Sequence, residues 1–302
     1  MGILSFGSLN VDETYHVEAI ALPGQTIPSK RMSISSGGKG FNQSIAAAKA
    51  GAKVYHAGAI GKKDADIIRG ILEDNNVNTT YISTNHEHSG RALIQCDKNG
   101  ENCIVLYGGA NHEIDKEYID RVMAKFEKKH TVLLQNEISN TDYIMIKAKE
   151  KGMQICFNPS PISEALYSYP MELIDILILN ELEGRDITKE FNKDKILDVL
   201  LKKYPSMKIV LTLGENGCIY ADKDQRIPQS AYKVVTIDTT AAGDTFIGYY
   251  ISTIMSGYDT RKALKIATAA SALAVTKEGA AKSIPTMKEV KDFMMKFKDY
   301  TL

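Results

Sequence analysis

The chain has 302 residues, 44% of them hydrophobic, enough to bury a substantial core as one large domain or two ordinary ones. Its 37 basic and 37 acidic residues cancel, which removes the usual electrostatic argument for a nucleic-acid or membrane-surface partner. No stretch approaches the roughly 20 apolar residues that span a bilayer, the sequence opens on ILSFGSLNVD without a basic leader, and the cysteines show no CxxC spacing; a soluble, cytoplasmic protein is expected.

In chain order, residues 3–7 form the first short apolar run and read as a buried strand. Residues 14–19 and 29–35 flank Pro23-Gly24 and read as an antiparallel pair. The run SGGKGFNQS (36–44) then leads into an amphipathic helix at 42–50, followed by a strand at 54–57 and a helix at 65–75. Residues 91–97 and 102–107 flank the hairpin signal Asn99-Gly100. Counted from 98/101, this turn sets Cys96 opposite Cys103 at a hydrogen-bonded position, and two reduced cysteines are expected rather than a disulfide.

The rhythm resumes with helices at 115–128 and 142–151 and strands at 132–134, 154–157, 176–179 and 208–212. The last third is helical, at 242–255, 260–277 and 287–298, with Gly257 and Gly279 where a helix end wants a permissive residue. Strands buried on both faces and alternating with helices predict an α/β fold, doubly wound, with a mainly parallel sheet and helices on both faces. The two antiparallel pairs predict a small β-sheet inserted as a lid or partner surface, with two independent surface hairpins as the alternative. Ligands of such sheets sit outside the carboxyl ends of the strands.

Several residues there carry chemistry. In DTTAAGDTF (238–246), Ala241, Ala242 and Gly243 leave the N–H groups of a helix start open to an anion, and Asp244 could accept a proton from a hydroxyl; an acid in a first helical turn is the plain alternative. In GGKGFN, the glycines permit close backbone approach and Asn42 can bond hydroxyls both ways. Asn10, Asp12, Glu137, Asn180 and Glu183 follow predicted strands, a neutral and acidic set that suits a polyhydroxylated ligand; Asn180 and Glu183 could equally cap a helix. TLGENG (212–217) could wrap a nucleotide or form a tight turn into 218–220.

Together and in this order, these motifs resemble the ribokinase-like, PfkB-type family of carbohydrate kinases across nearly the whole chain. GGKGFN and DTTAAGDTF match its two signatures, and LLQNE, the GGAN at 108–111 and AVTKEGA resemble its ribokinase branch. The resemblance implies one kinase domain over 1–302, with lid segments at about 13–35 and 88–108. It implies transfer of the ATP γ-phosphate to a sugar hydroxyl, D-ribose giving ribose 5-phosphate first, with nucleoside, deoxyribose and other sugar kinases as alternatives. A sugar-binding regulator on an inactive scaffold is the alternative from another class.

By the same resemblance Asp244 is the general base, and the amides of Ala241, Ala242, Gly243 and Asp244 form an anion hole. Asn10, Asp12, Gly38, Lys39, Gly40, Phe41, Asn42 and Glu137 hold the sugar. Asn180 and Glu183 serve the phosphates and magnesium-bound water, and Gly243, Thr212, Leu213, Gly214, Glu215, Asn216, Gly217 and Thr268 contact ATP. Asp238, Thr240, Ala274, Lys277, Gly279 and Ser283 line a potassium site. Pairing of two copies through the lid sheet is a further implication. Two departures stand out: Gly61-Lys62-Lys63-Asp64-Ala65-Asp66 breaks the family's G-x-D-x-x-G, and Phe41 replaces a small residue, either reshaping the sugar pocket or entering the core.

Overall fold

The computed structural model describes residues 1–297. Its strands are β1 Ile3–Phe6, β2 Asn10–His16, β3 Arg31–Gly37, β4 Val54–Gly61, β5 Val77–His86, β6 Gly90–Cys96, β7 Asn102–Tyr107, β8 Thr131–Gln135, β9 Gln154–Asn158, β10 Ile176–Asn180, β11 Lys208–Thr212, β12 Cys218–Ala221 and β13 Arg226–Gln229. The helices are α1 Lys39–Lys49, α2 Ala65–Asp74, α3 Lys116–Met123, α4 Thr141–Glu150, α5 Glu181–Thr188, α6 Lys193–Lys203, α7 Ala242–Met255, α8 Thr260–Ala274 and α9 Met287–Lys296. Of the final helix expected to reach 298, Phe297 is the cap, and 298 lies outside the described residues.

The large sheet has the order β13-β12-β11-β10-β9-β8-β1-β4-β5. Its strands pair in parallel except β12 and β13, which return antiparallel at one edge. Alternation along each strand feeds two apolar layers. Ile3, Leu133 and Val210 pack with Phe41, Tyr249 and Leu264 on one face. Leu4, Phe6, Leu134 and Leu211 pack with Ile119, Ile144 and Leu197 on the other. Helices therefore cover both faces, as the periodicity predicts.

The two antiparallel pairs are not independent hairpins. Parallel pairing of β2 with β6 joins them into one four-stranded sheet, β3-β2-β6-β7. Strand β2 starts at Asn10, four residues before the predicted start, because Gly37 and Gly90 lie opposite Asn10 and leave its side chain room. The expected cysteine register is off by one. Asp97 Oδ1 accepts from the amides of Asn99 and Glu101, which lengthens the turn. Cys96 then pairs with Asn102 and Cys103 with Gln95, so the two thiols point to opposite faces and both are free.

Candidate active site

A crevice opens at the carboxyl ends of the parallel strands, lined by Lys39, Asn158, Ser160, Asn180, Glu183, Thr212, Thr239 and residues 241–244. One wall is the N-terminus of α7. Ala241 caps it with φ of 59°, a left-handed conformation that costs an alanine about 1–2 kcal/mol. That turn bends the chain sharply into the helix. The Ala242 amide donates to the Thr239 carbonyl at 3.2 Å and Thr245 to the Ala241 carbonyl at 2.8 Å. The amides of Ala241, Gly243 and Asp244 keep no such partner among the described residues. Ala242 thus drops out of the expected set of free donors. A side chain added at Gly243 would meet nothing within 4 Å, so the crevice reaches the backbone there.

Asp244 is buried, 9% exposed, and both its oxygens are held by helix α1. Asn42 Nδ2 donates to Oδ2 at 3.1 Å, and Gln43 Nε2 donates to Oδ1 at 2.9 Å. Asn42 Oδ1 is buried without a partner, an open acceptor beside the carboxylate. The N-terminus of α1 is closed by another acid. Glu137 accepts from the Lys39 amide at 2.9 Å and from the Ser8 hydroxyl, where the helix dipole favours a negative charge. Burial nevertheless pushes the Glu137 carboxyl up, against the pull of Lys39 and Ser8. For Lys39, burial opposes its charge, but Asp244, Glu137 and Glu183 together hold it above the ordinary lysine range. One ammonium thus faces three carboxylates.

Asn10 and Asp12 sit two apart on β2 and share a face of the small sheet. Asn111 fixes Asn10: its Oδ1 accepts from the Leu9 amide at 3.0 Å, and its Nδ2 donates to Asn10 Oδ1 at 2.7 Å. A Cβ at Gly37 would fall 1.9 Å from Asp12 Oδ2. Burial, reinforced by Glu137, raises the Asp12 carboxyl to about 6. The departed loop has a role here too. Asp64 accepts from Ser89 Oγ at 2.6 Å and lies 3.5 Å from Arg91, tying the loop after β4 to the start of β6.

Asn180 and Glu183 form a reciprocal capping box on α5 and still line the crevice, so capping and site placement coincide. Burial raises the Glu183 carboxyl, partly offset by the Asn180 amide. The segment 212–217 is a tight turn from β11 into β12: Leu213 donates to the Gly217 carbonyl at 2.8 Å, and Gly217 has φ of 94°. Asp238 is held by the Thr240 amide and hydroxyl through Oδ1 and by the Gly279 amide through Oδ2. Burial works against its charge, yet these donors keep its carboxyl below the usual range.

The side chains of four predicted site residues are absent from the crevice lining. Phe41 is fully buried in the core with Ile45 and Tyr249, so its ring enters the core and not the sugar pocket. The Leu213 side chain belongs to the opposite core layer, leaving only its backbone near the turn. Thr268 is buried on α8, its hydroxyl 3.8 Å from Cys218 Sγ. The Lys277 ammonium bonds Glu289 at 2.9 Å, which leaves the backbone as its contribution near Asp238. Ala274 and Ser283 are buried in the neighbouring segments, and Gly38 (φ 96°) and Gly40 pack on Ser8.

The sequence reading missed Ser8, Gln43, Asn111, Asn158, Ser160 and Thr239. Gln43 and Asn111 lay inside the motifs already singled out; Asn158 and Ser160 follow a predicted strand, the one signal that marked the other polar residues.

A sheet with this crevice, an acid beside unpartnered amides at a helix start and an amide-rich opposite wall has the features of a phosphoryl-transfer kinase. The profile of the pfkB family carbohydrate kinases matches residues 2–287, and the chain belongs to that family; it is an ATP-dependent sugar kinase. It is 33% identical over 297 residues to a ribokinase of Haemophilus influenzae, covering 95% of this chain and 96% of that one. A deoxyribokinase of Salmonella typhimurium is 30% identical, covering 97% and 99%. The crystal structure of a ribokinase from Cryptococcus neoformans in complex with ADP superposes with a TM-score of 0.85 at 33% identity, over 96% of this chain and 99% of the other.

Proposed function

We propose that this kinase transfers the γ-phosphate of ATP to D-ribose, giving ribose 5-phosphate, with Asp244 as general base. The observation that carries it is the pairing of a buried carboxylate with unpartnered amides at one helix start. Asp244 takes the proton of the attacking hydroxyl as that oxygen bonds to phosphorus and the bond to ADP breaks. The amides of Gly243 and Asp244 stabilise charge on the transferring group, and Lys39 faces the same space. Asn10, Asp12, Asn42 and Glu137 orient the sugar through its hydroxyls. Asn180, Glu183 and the 212–217 turn face the nucleotide; a magnesium ion arriving with ATP would neutralise phosphate charge, and the Glu183 carboxyl lining the crevice suits its bound waters.

Ribose is favoured over 2-deoxyribose because Asp12, against Gly37, and Asn10, held by Asn111, offer a carboxylate and an amide for several hydroxyls. With ATP, ribose is expected to give the highest kcat/KM in a panel of 2-deoxyribose, hexoses and inosine. A nucleoside that wins by orders of magnitude overturns the substrate assignment.

Asp12 adds a pH dependence. Its carboxyl is neutral below about 6, where it ceases to accept two hydroxyl bonds. The kcat/KM for ribose is therefore expected to be level above pH 7 and to fall about tenfold per unit well below pH 6. Asp12→Asn should lower the plateau and remove that step; an unchanged acid limb in the variant excludes Asp12. The linkage sign for stability is opposite. A raised carboxyl favours the fold below pH 3.8, and this contribution is lost as pH rises through about 6.

Asp238, Thr240 and the carbonyls of the 274–279 segment beside them offer oxygen groups that suit a hard monovalent cation, which would fix the loop leading into the anion hole. Potassium is expected to raise turnover; equal rates in potassium and in a bulky organic cation of the same ionic strength refute the site. We also propose that two copies pair through the small sheet. Its edge strand β7 is exposed along its whole length and carries Ile104, Val105 and Leu106; Val105 lies opposite exposed Leu93, and exposed Ile34 stands on the other edge strand, β3. A cytoplasmic location fits the free cysteines, and no helix among the described residues is long and apolar enough to cross a membrane.

A further inference from the structure

Gln43 is fully buried, one turn into α1, and makes three side-chain hydrogen bonds through one amide. Its Oε1 accepts from Gln135 Nε2 at 2.8 Å. Its Nε2 donates to Asp244 Oδ1 at 2.9 Å and to Asn158 Oδ1 at 3.3 Å. Side-chain amides can be turned over without changing shape, so the orientation needs a separate argument. Two anchors supply it. Asn158 Nδ2 donates to the Ile178 carbonyl at 3.0 Å, which turns Asn158 Oδ1 toward Gln43. Asp244, as a carboxylate, accepts only. Both neighbours on that side therefore require donors, and Gln43 must present its NH2 to them and its oxygen to Gln135.

We propose that Gln43 is a positioning residue for phosphoryl transfer: donating to Asp244 Oδ1, it fixes the plane of the carboxylate so that Oδ2 is the oxygen presented to the sugar hydroxyl. This rests on the reading of Asp244 as the base. Asn42 alone holds a carboxylate by one bond, about which it can still turn. Two donors on two oxygens, from consecutive residues of one helix, remove that freedom. Gln135 acts one step further out. It has no bond to Asp244, but it occupies Gln43 Oε1 and so opposes a turn of the Gln43 amide. Misplacing a base by about 1 Å is worth on the order of a hundredfold in rate.

The test uses Gln43→Met, which keeps the length and removes the donor, Gln135→Met, and the double variant. All are measured by single-turnover phosphoryl transfer with ribose and ATP, alongside Asp244→Asn. Gln43→Met is expected to lose about ten- to a hundredfold in the transfer rate with the ribose and ATP KM values within about threefold of wild type. Gln135→Met should lose less. The double variant should match Gln43→Met, because Gln135 acts only through Gln43. Folding is checked by near-ultraviolet circular dichroism and by ribose binding in calorimetry. A folded Gln43→Met with the wild-type transfer rate overturns the proposal. So does a loss that multiplies with that of Gln135→Met, as two independent packing defects would. If Gln43→Met fails to fold, Gln135→Met decides: no loss of rate with native ribose binding counts against the relay. Should Asp244→Asn itself keep wild-type transfer, the base assignment has failed, an outcome separate from the failure of Gln43 alone.

Discussion

Asp244→Asn is expected to lose phosphoryl transfer by about 10²–10⁴-fold or more, the range that removal of a general base produces, while ribose still binds. The substitution keeps the shape of the side chain and removes its ability to take a proton. It also creates a local conflict. Asn42 Nδ2 and Gln43 Nε2 both point donors at position 244, so one of them would face the new NH2 group. A buried donor left unsatisfied costs about 1–3 kcal/mol. The variant should therefore melt lower as well as turn over more slowly. Calorimetric ribose affinity near wild type, together with the lost rate, separates chemistry from unfolding. Turnover within tenfold of wild type is the result that removes Asp244 from the mechanism.

Gly248→Ala is expected to have the next largest effect, although it lies a full turn beyond the site. Helix α7 crosses α1 at this glycine: an added Cβ would sit 2.5 Å from Ala46 Cβ, 2.6 Å from the Ala47 amide nitrogen and 2.8 Å from the Gln43 carbonyl. Alanine in a helix interior gains about 1 kcal/mol over glycine by propensity alone. Overpacking costs about 1–3 kcal/mol, and here the obstacle includes backbone, which cannot rotate away. The cost wins. To relieve it α7 must move off α1, and that movement lengthens the bonds that hold Asp244 from Asn42 and Gln43. Both a lower Tm and a lower kcat are expected, the second measured at saturating substrates. Equal or higher stability with an unchanged kcat would show that the two helices are not locked at this crossing.

Much of the large sheet was legible because its signals are local. The runs around Ile3, Val132, Ile155, Ile176 and Ile209 are short, apolar and bounded, and each became a parallel strand. Helix α7 runs over Ala242–Met255 as predicted, since a small-residue cap and a long apolar stretch mark both its ends. Strand β5 was not legible. Its sequence VNTTYISTNH is polar and it lies at the sheet edge, where one side need not be buried; two register irregularities against β4 disturb its alternation further. Helices α5 and α6 were seen only as a possible cap at Asn180. Among the site residues, Phe41 resolved toward the core because its helix face meets α7, a fact of tertiary packing that no neighbouring residue announces.

Asp244 and the glycine-rich run at 36–40 owed their recognition to motif order along the chain, and this was enough to fix the class of reaction. Sequence alone determined the alternation of strands and helices, the small residues at the start of α7 and the presence of an acid among them, because each depends on residues within a few positions of one another. What only the tertiary structure decided is how that acid is held. Gln135, Gln43, Asn158 and Asp244 come from four separate elements, and Asn10 is fixed by Asn111 about a hundred residues away. Hydrogen-bond direction and burial are properties of packed neighbours, so the same carboxylate became clamped, and Asp12 a carboxyl raised to about 6, only once the chain had folded.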